Sequence, residues 1–364
     1  MEVNKIYQGT CLDLIKTFPD KSIDCVITSP PYWQLRDYGW DGQWGNEPTF
    51  QMYLENLWSL MDEIYRVLKD EGTVWVNLGD TYGTQGGKNT GKEQKKYDST
   101  YIQNRVGVNG EEDATLIKQQ GYHKCLLLIP HRFAIGCIDR GWIIRNDIIW
   151  AKRNGMPESV TDRFSKKHEY FFFMVKKEKY YFDLDGIRDK IKQVSIDRYK
   201  YSFTGQEGGN SGNFKGDKSH LIPTTKIPIE NNEMFGSPRA RQHRKIKFGA
   251  NKRDGNEYGI YSGNEWNPRE DGKNPGDVSD FWDIPTLPSS DEHYAAYNDK
   301  LIGKPIIAGC PKDGIILDPF CGTATTGCRA IELGRKFIGI EGSSKYVSIA
   351  NKNLQPYISQ LQLL

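Results

Sequence analysis

The sequence predicts an α/β protein with a mostly parallel sheet, and three observations carry that prediction. Strand-like and helix-like segments alternate along the chain. A buried strand, Ile23–Ile27, ends in a stiff Thr-Ser-Pro-Pro turn. The C-terminal region runs strand, glycine-containing turn, helix and strand, with an acid, Glu341, closing the second strand. A chain of 364 residues, 37% of them hydrophobic, can bury one large core with a smaller appended lobe.

Taken in order, the strand Ile23–Ile27 runs into Thr28-Ser29-Pro30-Pro31, where the prolines restrict φ and present side chains at the strand's carboxyl end. Tyr53, Leu57, Leu60, Met61, Ile64, Tyr65 and Leu68 recur at helical spacing behind a Thr49 N-cap, and Thr73–Leu78 is β-rich. Residues 82–121 are polar with almost no apolar period, which predicts a mobile loop. Pro130–Arg140 reads as a short helix, Trp142–Trp150 and the aromatic Glu169–Val175 as strands. At the end come a strand at 315–317, a helix through Ala330 and Leu333, a strand at Phe337–Ile340 and a helix at Ser344–Leu354.

The formal net charge is only +2, so bulk charge does not announce a polyanion partner. From about Ile191 to Gly276 the chain turns polar and basic. There Arg239, Arg241, His243, Arg244, Lys245, Lys247, Lys252 and Arg253 are interleaved with Phe235, Phe248 and Tyr258. A solvated loop and a phosphate-attracting surface both fit that pattern. The seven cysteines never fall at C-x-x-C spacing and the six histidines do not cluster with them, so neither a zinc site nor a disulfide framework is indicated. No run approaches the roughly 18 apolar residues of a membrane span, and the expected setting is soluble and cytoplasmic.

The C-terminal strand leads into Asp318-Pro319-Phe320-Cys321-Gly322-Thr323-Ala324-Thr325-Thr326-Gly327 and a helix, the geometry of a Rossmann-type first half. Small residues let backbone approach a ligand, and an acid after the next strand accepts bonds from ribose hydroxyls; Glu341 lies at about the expected 20 residues. The turn is neither the glycine fingerprint of nicotinamide binding nor a phosphate loop. With Asp318 at the strand end, it suits a ligand carrying a cationic amino group.

Thr28-Ser29-Pro30-Pro31-Tyr32-Trp33 carries the second constellation. An exocyclic base amine is a poor nucleophile because its lone pair is delocalised into the ring. Acceptors aimed at its hydrogens, such as Ser29 Oγ and the Pro30 carbonyl, localise that pair as a new bond forms. Consecutive prolines fix carbonyl directions, Tyr32 offers a ring on which an extruded base can stack, and Trp33 can line the same pocket.

With these motifs in hand, the chain resembles the amino-methylating DNA methyltransferases of the β arrangement, in which the catalytic motif precedes the cofactor motif. The matching strings come in family order: Gly9 to Leu14, Thr28 to Trp33, Asp147 to Asn154 with Pro157, His168-Glu169-Tyr170, His293 to Leu301, and Asp318 to Gly327. The resemblance implies a seven-strand, Rossmann-like, S-adenosylmethionine-dependent methyltransferase fold, circularly permuted. Residues 1–190 would form the catalytic half, 191–280 a target-recognition region and 281–364 the cofactor half. Asp318, Pro319, Phe320, Gly322, Thr323 and Glu341 would hold the cofactor, with Thr10 and Cys11 near its adenine and His293 and Tyr297 near its methionine end. Trp33, Lys152, Arg239, Arg241, Arg244, Lys245 and Lys247 would meet double-stranded DNA, although Lys152 and Arg153 also read as a surface pair. Thr10 stands where the family often has aspartate and Asn298 where it often has proline.

The resemblance further implies direct methyl transfer to a flipped-out base, without a metal. Carbon-5 methylation needs a thiol nucleophile, and no Pro-Cys dipeptide occurs. Ser29 favours cytosine N4, since serine at that place tends to accompany cytosine and aspartate adenine; N6-adenine is the alternative. A silent DNA-binding protein of the same fold is a more remote one. RNA guanine or protein glutamine methylation fits less well, because those relatives place the cofactor loop first. A companion restriction endonuclease, if any, would be a separate chain.

Overall fold

The computed structural model describes residues 1–83, 122, 124–155, 158–189, 278–286 and 299–361. The chain divides into two units, Met1–Gly186 with Ser279–Leu364, and Ile187–Val278; almost all of the second lies outside the described residues.

In the first unit the elements follow as β1 (Lys5–Gln8), α1 (Cys11–Lys16), β2 (Ile23–Thr28), α2 (Phe50–Val67), β3 (Leu68–Leu78), α3 (Ile129–Asp139), β4 (Ile143–Ala151), β5 (His168–Val175), β6 (Phe281–Asp283), α4 (Asp299–Gly309), β7 (Ile315–Asp318), α5 (Thr325–Glu332), β8 (Lys336–Glu341) and α6 (Ser344–Leu361). The strands form one sheet in the order β1-β8-β7-β2-β3-β5-β4-β6. All neighbours are parallel except β3/β5 and β5/β4. The sheet therefore has eight strands among the described residues, where the resemblance implied seven. The additional edge strand, β6, pairs Trp282 with Trp150.

Side-chain alternation explains the layering. Val26, Val74, Val76, Phe172 and Met174 pack into the core with α1, α2 and α3. Cys25, Ile27, Trp75, Phe171 and Phe173 turn to the opposite face, into the core with α4, α5 and α6. The predicted N-cap of α2 is present: Thr49 Oγ1 accepts from the Met52 N–H at 3.2 Å. Pro130 sits in the first turn of α3, where its missing N–H costs nothing. The last helix runs to Leu361, about two turns beyond the predicted end at Leu354. Among the described residues no helix is long and apolar enough to cross a membrane. Most of the predicted loop 82–121 lies outside the described residues.

The strand order determines where a ligand can sit. From β2 the chain proceeds to β3 on one side, and from the adjacent β7 to β8 on the other. The carboxyl ends of β2 and β7 thus flank the point where the winding reverses, the position at which open α/β sheets bind ligands. The carboxyl ends of β1, β8 and β3 and the amino end of antiparallel β5 lie at the same edge.

Candidate functional site

Asp318, the last residue of β7, is 2% exposed, and its carboxylate is held by its own chain. Oδ1 accepts from the Thr28 hydroxyl at 2.7 Å and the Phe320 N–H at 3.1 Å, while Oδ2 accepts from the Thr326 hydroxyl at 2.7 Å. A buried carboxylate is tolerable only with such partners. The bond from Thr28 also ties the end of β2 to the start of the turn after β7, 290 residues apart in sequence. In the turn itself Gly322 takes φ +51° and donates its N–H to Glu341 Oε2 at 3.1 Å. Glu341 Oε1 accepts from the Ser343 N–H at 2.8 Å. Burial raises the Glu341 carboxyl above its ordinary value; the backbone N–H groups of Ser343 and Gly322 oppose that shift and Asp318 adds to it.

Above these ends lies an open cleft enclosing about 980 Å³ of empty space, part of it open to solvent. Thr10, Cys11, Ser29, Pro31, Asp318, Pro319, Phe320, Gly322, Thr323 and Glu341 all border it. Most residues expected at the cofactor and the catalytic turn therefore meet at one place. Thr10 is the N-cap of α1, and its hydroxyl is engaged with Asp13 Oδ2 at 2.6 Å. Cys11 and Cys321 are buried, and burial pushes both thiols well up, so they are neutral apolar wall and not nucleophiles. His293, Tyr297, Arg239, Arg241, Arg244, Lys245 and Lys247 lie outside the described residues.

Much of the remaining wall comes from residues to which no sequence motif points. After the catalytic turn, residues 36–45 fold back across the cofactor turn and bring Tyr38, Trp40, Gly42, Gln43 and Trp44 into the cleft. Trp44 packs on Phe320 with ring centroids 5.2 Å apart, and Tyr38 meets Tyr346 edge-on at 6.1 Å. Trp40 lies so close to the backbone after β8 that a Cβ on Gly342 would stand 2.0 Å from its ring. Gln43 pins the segment by accepting from the Tyr38 N–H at 2.7 Å and donating to the Arg36 carbonyl at 3.1 Å. The signal was present as aromatic residues alternating with Gly39, Gly42 and Gly45 directly behind the Pro-Pro turn.

At the catalytic turn, Pro30 is buried and Ser29 half-buried, with Ser29 Oγ 3.5 Å from Asn77 Oδ1. The Pro31 carbonyl is taken by the Tyr53 hydroxyl at 2.8 Å. The Tyr32 hydroxyl lies 2.7 Å from Glu169 Oε2 and 3.0 Å from Asn77 Oδ1, and its single proton goes to the nearer carboxylate. Burial first, and the Glu169 charge second, hold that phenol well above its ordinary value, so it is a neutral donor. Glu169 also receives Lys152 Nζ, which sits 4.4 Å from the Trp150 ring centroid. Lys152 is thus a partner of Glu169 beside the Tyr32 hydroxyl. Trp33, expected at the pocket and the DNA, is a correction: it is 5% exposed, donates from Nε1 to the Glu47 carbonyl at 2.9 Å and packs edge-on against Phe50. The turn at Gln34, φ +53°, follows a tryptophan directed into the core, where a large ring buries more surface than at a pocket rim.

A family model described as DNA methylase matches residues 23–352. Over 94% of this chain and 89% of its own length, the Type II methyltransferase M.SfiI of Streptomyces fimbriatus is 30% identical. The PvuII DNA methyltransferase, described as cytosine-N4-specific, superposes with a TM-score of 0.54 at 15% identity, covering 98% of this chain and 90% of that one. The S-adenosyl-L-methionine complex of TTHA0409, a DNA modification methylase from Thermus thermophilus described as putative, gives 0.50 at 17% identity, over 97% and 95%. At those identities the two structures speak for the fold.

Proposed function

The chain belongs to the N6/N4 DNA methylase family, and on that basis we propose that it methylates the exocyclic N4 amine of cytosine in a base extruded from double-stranded DNA. One observation carries the reading. The Thr28–Asp318 hydrogen bond joins the Ser-Pro-Pro-Tyr turn to the cofactor turn, so that a base amine at Ser29 and a methyl donor over Asp318 and Glu341 would share one cleft. S-adenosylmethionine, the cofactor, supplies an electrophilic methyl on a sulfonium.

The cleft's chemistry fits that cofactor. Tyr38, Trp40, Trp44 and Phe320 offer aromatic faces for an adenine, Glu341 an acceptor for ribose hydroxyls, and Gly322 a backbone without a Cβ. Ser29 Oγ and the Pro30 carbonyl then hold the two amine hydrogens, so that the nitrogen lone pair points across the cleft as the carbon–nitrogen bond forms. No hydrogen bond among the described residues uses the Pro30 carbonyl, whereas Pro31's is spent on Tyr53. Glu169 and Asn77 fix the Tyr32 ring beneath the incoming base. Supporting cytosine is Ser29 itself. Adenine N6 is the second reading, because the family includes both activities. We assign target recognition to residues 191–280, which nearly coincide with the separate unit Ile187–Val278. A restriction endonuclease of matching specificity would be a separate chain.

Transfer of labelled methyl from S-adenosylmethionine to plasmid DNA tests the site. Ser29→Ala should slow it about 100-fold with cofactor affinity unchanged. An unchanged rate would remove Ser29 from the mechanism.

A further inference from the structure

Extruding a base leaves a gap in the duplex, and a protein that inserts an apolar wedge there stabilises the opened state. Trp33, expected from the sequence at the base pocket and the DNA, is in the core. Among the described residues one large apolar side chain is almost wholly in solvent: Phe164, 96% exposed, where the next most exposed, Leu35 and Ile135, reach 59%.

Phe164 lies on the connection between β4 and β5, five residues before Glu169, the partner of Tyr32. That connection is pinned on both sides of the ring. Arg163 donates to Glu158 Oε2 at 2.5 Å and stacks over the Tyr82 ring at 4.0 Å, and Lys124 reaches Asp162. Lys166 Nζ donates to the carbonyl of Asp80, whose neighbour Gly79 abuts Tyr32: a Cβ there would stand 2.7 Å from the Tyr32 ring. At the base of the connection the Lys152 N–H bonds the Lys167 carbonyl at 2.8 Å. An exposed aromatic ring on an anchored loop keeps its apolar surface available for burial against a partner. Beside the ring, Arg163 is paired with Glu158, and Lys166 and Lys167 turn their ammonium groups to the carbonyls of Asp80 and Gly155, so the flanking cations serve to hold the loop.

We propose that Phe164 is the wedge that enters the duplex and fills the space left by the extruded base. This rests on the reading of the site as a base methyltransferase. The stacked ring would hold the neighbouring base pairs apart while Tyr32, tied to the same edge through Glu169, receives the base.

The test uses single-turnover methylation by the full chain on two oligonucleotides carrying its mapped target sequence. One is fully paired, and the other has an abasic site opposite the target base, so that extrusion is already cheap. Phe164→Ala should be slower by about tenfold or more on the paired duplex and within about twofold of the parent on the abasic one, with Phe164→Trp close to the parent on both. Equal rates for Phe164→Ala and the parent on both duplexes, or an equal loss on both, would overturn the wedge. If the parent protein methylates neither duplex, the reading of the site fails and the wedge with it. The residue is solvent-exposed, and an unchanged melting temperature with unchanged S-adenosylmethionine affinity establishes that Phe164→Ala is folded.

Discussion

At the scale of single residues, the site is built from buried polar groups whose partners come from the chain itself. Asp318 draws Thr28, Phe320 and Thr326 around its carboxylate, which holds the start of the turn with groups of the chain itself. Glu341 differs, because its two backbone donors leave acceptor positions facing the cleft. Its carboxyl is raised by burial, so the proton stays on to higher pH than for an exposed glutamate. The protonated form has lost acceptor capacity, and S-adenosylmethionine affinity should therefore weaken as pH falls through that raised value and recover above it. Glu341→Gln should weaken binding about tenfold at neutral pH and flatten the pH dependence. Titration of tryptophan fluorescence from Trp40 and Trp44 reads both effects; a wild-type affinity constant across the acid range would contradict the role given to Glu341. The cost to folding has the matching sign: the raised carboxyl favours the native state fully at pH below its ordinary value, and that contribution is lost as pH rises through the raised one.

Two glycines separate structure from binding at the scale of elements. Gly327 lies on α5, where a Cβ would come within 2.5 Å of Phe337 on β8. Gly327→Ala should overpack that contact and lower stability by about 1–3 kcal/mol, seen as a lower melting temperature. Gly342→Ala would drive its methyl into Trp40, which is only half-buried and can move. Its melting temperature should hold nearly constant while cofactor affinity falls; the opposite pattern would show that Trp40 is structural.

The same scale shows what the sequence could disclose. Strong periodicity and capping made α2 legible, and the strands β2, β7 and β8 were legible as apolar runs because both of their faces are buried. The short β1 and β6 were not read, since four and three residues hold too little pattern. The segment 36–45 escaped because its order comes from tertiary contacts with the cofactor turn and α6 rather than from any local period. Trp33 was misplaced for a related reason. Residue type says that a tryptophan suits a base, but only the fold reveals that the core already claims it.

On the scale of the whole molecule, a winding order that reverses between β2 and β7 lets two motifs far apart in sequence share one cleft. The family's permuted order, catalytic turn first and cofactor turn last, is thereby neutral in space. Between the two halves the permutation leaves a place in the chain for a separate unit, 187–278.

Whether this cleft methylates the N4 amine of cytosine is decided by its product. The full chain is incubated with S-adenosylmethionine and unmethylated mixed-sequence DNA, and the product is digested to nucleosides and separated by mass spectrometry against both methylated standards. N4-methylcytosine is the predicted product; N6-methyladenine in its place would contradict the assignment drawn from Ser29.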